Sequence, residues 1–274
     1  MIDTPGIVES NDELTTGYRL LTLRFDQDIN ARAGQFAMLK ASDAYEPLLR
    51  RALAVYRAHG PRRLSFLYQV MGRGTEALSH LGGGGRVEAL VPLGNSWPVD
   101  TLAPGERAVV VAGGIGSASV LMLCEQLARA GVDTHVLFGA SSGRVAIGCG
   151  LEDFQALGLP LTVTTDDGSL GEKGFVTAPL ERMLREERGA RSVVYACGPW
   201  VMMRRVSEIT SAFAARCLVS LEAPMGCGFG VCVGCVVAVN TREPLGYNSY
   251  RRVCIDGSIF PAEAVRWDVS AMPH

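Results

Sequence analysis

The 274-residue sequence has little net charge, no long uninterrupted apolar segment and no recognisable signal peptide. Its 26 basic and 28 acidic residues do not favour general binding to nucleic acid or to a membrane surface. The most apolar stretch, residues 108–124, is interrupted by glycines and serines, whereas a membrane span needs about 20 apolar residues. The N-terminus lacks a basic start followed by an apolar run. We therefore expect a soluble, cytoplasmic protein with neither nucleic acid nor membrane as partner.

Histidine is scarce, whereas eight cysteines are present. Disulfides are rare in the cytoplasm, so these cysteines favour metal ligation or reactivity over disulfide bonds. A Rieske centre needs two histidine ligands. None of the four histidines lies beside the cysteine-rich segment; they are His59, His80, His135 and His274. A histidine-ligated iron–sulfur centre is therefore not expected.

The length suits two domains or slightly more, and the sequence pattern changes near residue 104. Before it, short β-rich runs predict a small antiparallel barrel, with strands at 18–25, 34–41, 51–58, 63–70 and 86–94. After it, alternating strands and helices predict a parallel α/β sheet. The strands are expected at 107–116, 133–140, 161–167 and 192–198, and the helices at 117–131, 151–157, 178–188 and 199–213. We predict a barrel domain at 1–103, an α/β domain at 104–222 and a small cysteine-containing module at 223–274.

The cysteine spacing near the C-terminus is the most specific chemical signal. Four residues separate Cys227 from Cys232, two separate Cys232 from Cys235, and eighteen more precede Cys254. This is the plant-type spacing of a [2Fe–2S] cluster, in which four thiolates hold two irons. Glycines allow positive φ and close approach of backbone N–H groups to the sulfur atoms; they are Gly226, Gly228, Gly230 and Gly234.

Two other interpretations of these cysteines remain open. A structural zinc site more often shows two C-x2-C pairs, and here there is one pair with two single cysteines. Unligated buried cysteines are common, but three within nine glycine-rich residues are not. We expect Cys124, Cys149 and Cys217 to be packed or incidental.

Two turns at strand ends predict a nucleotide site. Gly113, Gly114 and Gly116 stand between a buried strand and a helix, the form that places a diphosphate at a helix N-terminus. Such a turn also occurs as an ordinary connection. The segment Cys197-Gly198-Pro199 ends a later parallel strand, at the edge where open α/β sheets bind ligands. The polar glycine loop 164–174 also follows a strand.

The barrel is expected to hold a flavin. An iron–sulfur cluster moves single electrons, so hydride from a nicotinamide needs a flavin as intermediary. Arg51 begins a strand where its guanidinium can grip a diphosphate, while Arg50 is better explained as an ordinary solvated strand end. Gly72, Gly74 and Thr75 open a helix that could bind an anion.

The order of these motifs resembles the ferredoxin-reductase-like flavoproteins. More narrowly, "SLEAPMGCGFGVCVGC" and "YRRVCIDGSIF" are similar to the electron-transfer subunits of dihydroorotate dehydrogenase B. The resemblance implies a barrel that binds FAD and a C-terminal [2Fe–2S] module. It also implies a separate FMN-containing dihydroorotate dehydrogenase catalytic subunit, usually in a heterotetramer. Electrons would pass from that partner to NAD+ in pyrimidine biosynthesis.

The resemblance also implies site residues. The FAD contacts would be Arg51, Ala52, Leu53, Ala54, Leu67, Tyr68, Gln69, Gly74 and Thr75. The NAD contacts would be Gly113, Gly114, Gly116, Cys197, Gly198 and Pro199. The cluster ligands would be Cys227, Cys232, Cys235 and Cys254. No catalytic side chain is assigned, because the cofactors carry the chemistry.

Departures from the family pattern keep alternatives open. The family's proline and serine on the first FAD strand are Ala52 and Ala54 here, and Ala-Pro after the glycine turn is replaced within Ser117-Ala118-Ser119. A related subunit of a ferredoxin:NAD(P) oxidoreductase, a sulfide dehydrogenase or an oxygenase is one alternative. A non-enzymatic, zinc-stapled interaction module is another.

The choice between NAD and NADP is weakly determined by the sequence. Ser141, Ser142 and Arg144 follow the second strand of the α/β domain, where a 2′-phosphate could be bound. They could equally form an ordinary polar loop. We expect NAD from the resemblance alone.

Overall fold

The computed structural model describes residues 1–41, 46–186, 191–241 and 246–269. The end of the predicted helix at 178–188 and the end of the predicted module at 223–274, with His274, lie outside this part of the chain. No helix within it is both long enough and apolar enough to cross a membrane.

The first hundred residues form one seven-stranded antiparallel sheet in the order β4-β3-β7-β1-β2-β6-β5. Its strands are β1 (Ile2–Thr15), β2 (Tyr18–Phe25), β3 (Phe36–Lys40), β4 (Arg51–Ala54), β5 (Arg57–Ala58), β6 (Arg63–Gln69) and β7 (Arg86–Leu93), and helix α1 spans Arg73–Ser79. A two-residue turn joins β1 to β2, with Gly17 at φ +82°, as tight hairpins require.

Two features of this sheet differ from the prediction. Strand β1 was not expected, because breakers and polar residues weaken its apolar pattern. The predicted strand 51–58 is two strands. The Val55 N–H donates to the Gln35 carbonyl and the Tyr56 N–H donates to the Ser65 carbonyl. The chain therefore crosses between the two edges of the sheet at this point, since β4 and β5 lie at opposite ends of the strand order.

The second half forms another seven-stranded sheet, in the order β11-β10-β9-β8-β12-β13-β16. Its strands are β8 (Arg107–Gly113), β9 (Thr134–Ala140), β10 (Leu161–Thr165), β11 (Glu172–Lys173), β12 (Ser192–Cys197), β13 (Arg216–Ser220) and β16 (Ile259–Pro261). The helices are α2 (Ser117–Arg129), α3 (Gly143–Gly148), α4 (Leu151–Ala156), α5 (Thr177–Glu186) and α6 (Trp200–Ala212).

The predicted parallel sheet is present, with one addition from the C-terminal segment. Strand β16 pairs antiparallel with β13. Strands β14 (Val236–Ala238) and β15 (Tyr250–Arg252) form a separate ribbon, followed by helix α7 (Val253–Asp256). The elements β13, α3 and β16 were not predicted, because each is short and lacks a long apolar repeat.

Buried contacts hold the three regions together. Cys235, Val253 and Phe260 from the C-terminal segment share a core with Val194 and Val219 of the parallel sheet. On the other side, barrel residues share a core with α2 and α4. The Tyr56 hydroxyl donates to Asp153 at 2.6 Å, and Arg57 donates to Glu125 at 2.6 Å and to Asp153 at 2.9 Å. These contacts fix the barrel against the α/β sheet.

Candidate functional site

The four C-terminal cysteines lie on and beside a loop that follows β13. Gly228 and Gly230 have φ values of +82° and +89°, which favour glycine. A Cβ on Gly228 would lie 2.4 Å from Met38 of the barrel, and one on Gly230 would lie 2.8 Å from Ile255. The guanidinium of Arg252 also donates to the Gly230 carbonyl at 3.1 Å. The loop is therefore seated closely against both neighbours.

The first two cysteines of the loop form a pair. The Cys232 N–H donates to the Sγ of Cys227 at 3.5 Å. Burial acts to raise the pKa of the Cys227 thiol. Hydrogen bonds outweigh this effect and lower the pKa to about 6; they come from the backbone N–H groups of Cys232, Phe229 and Val231 and from the Cys232 thiol. Backbone N–H groups aimed at a sulfur favour its thiolate form. This half of the site therefore suits a metal-bound sulfur.

Cys235 and Cys254 form the second pair, and each is 1% exposed. Burial and the adjacent Cys235 raise the pKa of the Cys254 thiol to about 12, and Cys227 acts in the same direction. Among the described residues, no three His, Cys, Asp or Glu side chains are arranged around a single metal ion. Two thiol pairs suit two irons with two thiolates each.

A cleft of about 480 Å³ lies between the barrel, the parallel sheet and the cysteine loop. Eight of the nine predicted FAD contacts line it: Arg51, Ala52, Leu53, Ala54, Leu67, Tyr68, Gln69 and Thr75. A further cavity of about 970 Å³ shares Arg51, Thr75 and Met225 with it and extends to Arg73 and His80. Together the two cavities form an elongated site with the cysteine loop on one wall.

The ninth predicted contact, Gly74, lies directly beneath Arg51. A Cβ on Gly74 would lie 2.0 Å from the Arg51 Nε, so a larger residue here would displace the guanidinium. Arg51 also donates to the Leu49 carbonyl. Arg50 is instead held by Asp3 at 2.8 Å and Glu88 at 3.3 Å. Arg51 lines both cavities, whereas Arg50 lines the larger one.

Another cleft, of about 500 Å³, opens at the carboxyl edge of the parallel sheet. Of the predicted NAD contacts, Gly113, Gly114 and Pro199 line it. Gly116 packs against Cys197 instead, because a Cβ there would lie 2.5 Å from the Cys197 carbonyl group. Gly198 packs against Gly113 and Met202. Gly116, Cys197 and Gly198 therefore build the wall between the two clefts.

That wall carries a buried hydroxyl cluster on the side of the barrel. The Ser119 hydroxyl donates to Ser220 at 3.0 Å, and Ser220 donates to Ser258 at 3.4 Å. Burial raises the pKa of the Cys197 thiol, with smaller opposing effects from the Ser220 and Ser119 hydroxyls. All four side chains line the barrel cleft. The three serines were not predicted as site residues; the departure at Ser119 was their one signal in the sequence.

The residues considered for a 2′-phosphate have other contacts. Ser142 accepts the Val145 N–H and caps α3, and the guanidinium of Arg144 donates to the Thr16 carbonyl at 3.4 Å. Ser141 does line the nucleotide cleft. Asp166, within the polar glycine loop 164–174, also lines this cleft. Phe175 and Arg205 line it as well; they were not predicted, since both lie outside the glycine motifs.

The fold described above is shared with solved structures of ferredoxin reductases. A solved structure described as an NADH-dependent reduced ferredoxin-NADP oxidoreductase that bifurcates electrons through flavin matches with a TM-score of 0.81 and 25% identity, over 96% of this chain and 90% of that chain. The ferredoxin reductase of carbazole 1,9a-dioxygenase matches with a TM-score of 0.65 and 17% identity, over 78% and 66%. The molecule therefore belongs to the class of ferredoxin-reductase-like proteins, which confirms the predicted fold class.

Sequence comparisons narrow this class. Residues 222–266 match the family model for the iron–sulfur cluster binding domain of dihydroorotate dehydrogenase B. The NAD(+)-type electron transfer subunit of that enzyme from Desulforamulus reducens is 35% identical over 86% of this chain and 87% of its own length. The Aquifex aeolicus homologue of the subunit is 36% identical over 90% and 92%.

This chain belongs to the family of dihydroorotate dehydrogenase B electron-transfer subunits. The resemblance predicted from the motifs is thereby confirmed, together with the electron-transfer role and the iron–sulfur module. It is a subunit of an oxidoreductase.

Proposed function

We propose that this subunit transfers electrons between an FMN-containing dihydroorotate dehydrogenase catalytic subunit and NAD+, by way of a [2Fe–2S] cluster and FAD. One observation carries the proposal: the segment that lines one side of the barrel cleft leads directly into the cysteine loop. Ala223, Pro224 and Met225 line the cleft, and Cys227 follows two residues later. When bound, FAD exchanges hydride with the nicotinamide and exchanges single electrons with the cluster.

Different side chains would hold the cluster, the FAD and the NAD(H). Cys227 and Cys232 would hold one iron, and Cys235 and Cys254 the other, because the thiols are already paired in this way. Arg51 would hold the FAD diphosphate, since it lies at the junction of the two barrel cavities. Gly113, Gly114 and Pro199 would contact NAD(H) at the sheet edge. The three regions predicted from the sequence thus become three cofactor-binding units.

The surface around the cysteine loop supports a protein partner. Its apolar side chains are exposed by 39–72%: Phe229, Val231, Val233, Val236, Tyr250 and Ile255. Exposed apolar clusters mark interaction sites, and a partner seated here would bring its own cofactor close to the cluster. The relatives' printed name, an electron transfer subunit, agrees with a separate catalytic subunit. We propose a heterotetramer of the two subunits in the cytoplasm.

One pair of substitutions tests this surface. Ile255 in the apolar cluster and Ile147 on α3 are each 44% exposed. Ile255→Glu should weaken association with the catalytic subunit at least about tenfold, since a charged group would be buried at the interface, whereas Ile147→Glu should not. Iron content is measured in both variants. Unchanged association of Ile255→Glu would mean that the partner binds elsewhere.

A second function is favoured by a specific observation. The reduced ferredoxin-NADP oxidoreductase covers 96% of this chain at 25% identity, and Ala54 departs from the family strand pattern. A subunit of a related ferredoxin:NAD(P) oxidoreductase would use the same cofactors with another partner.

Anaerobic purification with the native partner distinguishes these functions. We expect flavin and iron in the purified complex, an FMN-containing catalytic subunit bound to the chain, and reduction of NAD+ when dihydroorotate is added. Co-purification with a different redox protein and no dihydroorotate-linked activity would support the second function. A colourless protein containing zinc would support the interaction module instead and contradict both.

A further inference from the structure

Both ends of the segment that carries the four cluster cysteines line the barrel cleft. Residues 220–225 line it just before Cys227, and Ser258 lines it four residues after Cys254. The two ends also contact each other, since the Leu221 N–H donates to the Ser258 carbonyl at 2.8 Å. We call residues 226–257 the cysteine segment. It leaves the barrel cleft and returns to it, with all four thiols in between.

Asn95 of the barrel holds the end of the cysteine segment. Its N–H donates to the Gly257 carbonyl at 2.7 Å. Its side-chain amide donates to the Ile259 carbonyl at 2.9 Å and accepts the Ile259 N–H at 2.9 Å. Between these residues, the Ser258 hydroxyl donates to the Gly34 carbonyl of the barrel at 3.3 Å. The barrel therefore fixes the position of Ser258 in the cleft from both sides.

The barrel also contacts the part of the segment that holds the thiols. Gly228 packs closely against Met38 of β3, and Met38 shares an apolar core with Cys235 and Cys254. Met38 pairs in turn with Ala52 of β4, which lines the cleft. Close-packed interiors transmit displacements from one element to the next. A movement of the thiols would therefore reach the strand that carries the predicted FAD contacts.

The first part of the cysteine segment lacks regular structure. Residues 226–235, which the structure describes throughout, form neither helix nor strand, and Val231 and Val233 are 72% and 47% exposed. Val233 also has φ +56°, a conformation that costs a β-branched residue free energy and persists only where its surroundings fix it. Segments of this kind have low local stability. Ligation of the thiols would therefore supply much of their order, because metal binding contributes to the free energy of folding.

We infer that the cysteine segment couples the two sites: ligation of its thiols to iron strengthens FAD binding in the barrel cleft, and FAD in the cleft strengthens the retention of iron. Coupling of two binding equilibria is reciprocal. The inference rests on the proposed function, since it concerns the same two groups. It makes assembly of the metal site a condition for tight flavin binding, so a chain without iron would not retain a flavin that it cannot connect to its partner.

The first test measures the Kd of FAD by calorimetry for the flavin-free chain, with its iron bound and after anaerobic removal of the iron. Coupling between two sites typically changes affinity about 5-fold to 150-fold, so removal of the iron should raise the Kd by a factor in this range. The reciprocal effect is measured on the iron-bound chain, as the iron retained in competition with a chelator. Saturating FAD should increase the iron retained.

Two asparagine variants test whether these contacts carry the coupling. Asn95 lines neither barrel cavity in the described part of the chain, so Asn95→Ala removes no FAD contact. It removes two side-chain hydrogen bonds to Ile259, each worth about twofold to tenfold in an equilibrium constant, and should lower the ratio of the iron-free to the iron-bound Kd at least about twofold. Asn240 instead donates to the Glu263 carbonyl at 2.7 Å, away from the barrel, and Asn240→Ala should leave the ratio unchanged.

Equal Kd values for the iron-bound and iron-free chain would overturn the inference while leaving the proposed function intact, since both groups would still bind. An unchanged ratio in Asn95→Ala would overturn it too, because the effect would then not pass through the segment. Should the iron-free chain be unfolded by circular dichroism, the chelator competition decides, and iron retention that is the same with and without FAD would overturn the inference. A wild-type chain that binds neither iron nor FAD would overturn the proposed function as well.

Discussion

The eight cysteines form two sets of four, one in the parallel sheet and its helices and the other in the C-terminal segment. Those of the parallel sheet and its helices are buried and free: Cys124, Cys149, Cys197 and Cys217. Burial raises the pKa of the Cys149 and Cys217 thiols to about 12. In the C-terminal loop, backbone N–H groups lower the pKa of Cys227 to about 6. Burial does not separate the two sets, since Cys235 and Cys254 are each 1% exposed. The C-terminal cysteines differ in that their thiols lie beside one another in two pairs.

The largest effect is expected from one matched pair of cysteines. Cys235 and Cys217 belong to the same apolar core and are 1% and 4% exposed. Replacing either with alanine should cost a similar, small amount of packing energy. Cys235→Ala should also reduce iron from about two atoms per chain to nearly none, since it removes a ligand, whereas Cys217→Ala should retain iron. Iron and acid-labile sulfide analysis checks both.

This pair tests the division of the cysteines directly. Full iron content in Cys235→Ala would contradict the ligand assignment. Loss of iron from Cys217→Ala, with the protein still folded by circular dichroism, would mean that the buried set also contributes to the metal site.

Two glycines compare the packing of the parallel sheet with that of an open loop. Gly116 faces the Cys197 backbone, 2.5 Å from where its Cβ would lie, whereas nothing lies within 4 Å of the corresponding point on Gly82. Gly116→Ala should lower the free energy of unfolding by about 1–3 kcal/mol, because two backbone segments must separate. Gly82→Ala should change it by less than about 0.5 kcal/mol. Urea unfolding of both variants measures the difference, and equal midpoints would contradict the close packing.

The fold was predicted best where the local pattern of apolar residues was enough to define a strand. Strand β2 occupies the predicted residues 18–25, because its apolar residues alternate and a glycine turn precedes it. Strand β1 was missed because few of its fourteen residues are buried apolar ones. Strand β16 was missed because its place beside β13 depends on the preceding cysteine loop, and a three-residue strand has no pattern of its own.

The residues of the candidate site were likewise predicted where a short local motif contains them. The cysteine spacing and the FAD strand carry their chemistry within short motifs, and their residues are found together. The members of the serine cluster come from separate elements that only the folded sheet brings to one cleft. Gly116 shows the converse case, since a glycine in a nucleotide motif serves packing between strands.

Arg50 and Arg51 are neighbouring residues of the same type with different contacts. Arg50 pairs with Asp3 and Glu88 and lines the larger barrel cavity, whereas Arg51 lines both cavities. Arg51→Ala should raise the Kd for FAD about tenfold to a hundredfold, because charged hydrogen bonds contribute about 1.5–3 kcal/mol. Arg50→Ala should raise that Kd less, because the Arg50 guanidinium is held by Asp3 and Glu88. Fluorescence titration of the flavin-free protein measures both, and equal losses would mean that neither guanidinium grips the diphosphate specifically.

The smallest effect concerns the two alanines on β4. Ala54 is partly buried, lines the barrel cleft and pairs with Phe36 of β3, whereas Ala52 is more exposed. Ala54→Ser adds one hydroxyl facing the FAD site. A neutral hydrogen bond is worth about 0.5–1.5 kcal/mol, so the Kd for FAD should fall about twofold to tenfold. Ala52 also lines the cleft but is more exposed, so Ala52→Ser should change the Kd less than Ala54→Ser does.

Whether Ala54→Ser lowers or raises the Kd for FAD distinguishes two explanations. A tighter Kd would show that the cleft lacks a donor at this strand, as the departure from the family pattern suggests. A weaker Kd would mean that the added hydroxyl is buried without a partner, which costs about 1–3 kcal/mol. An unchanged Kd would contradict the prediction and point to Ser119, Ser220 and Ser258, because their hydroxyls already line the same cleft and can supply the donor that this strand lacks.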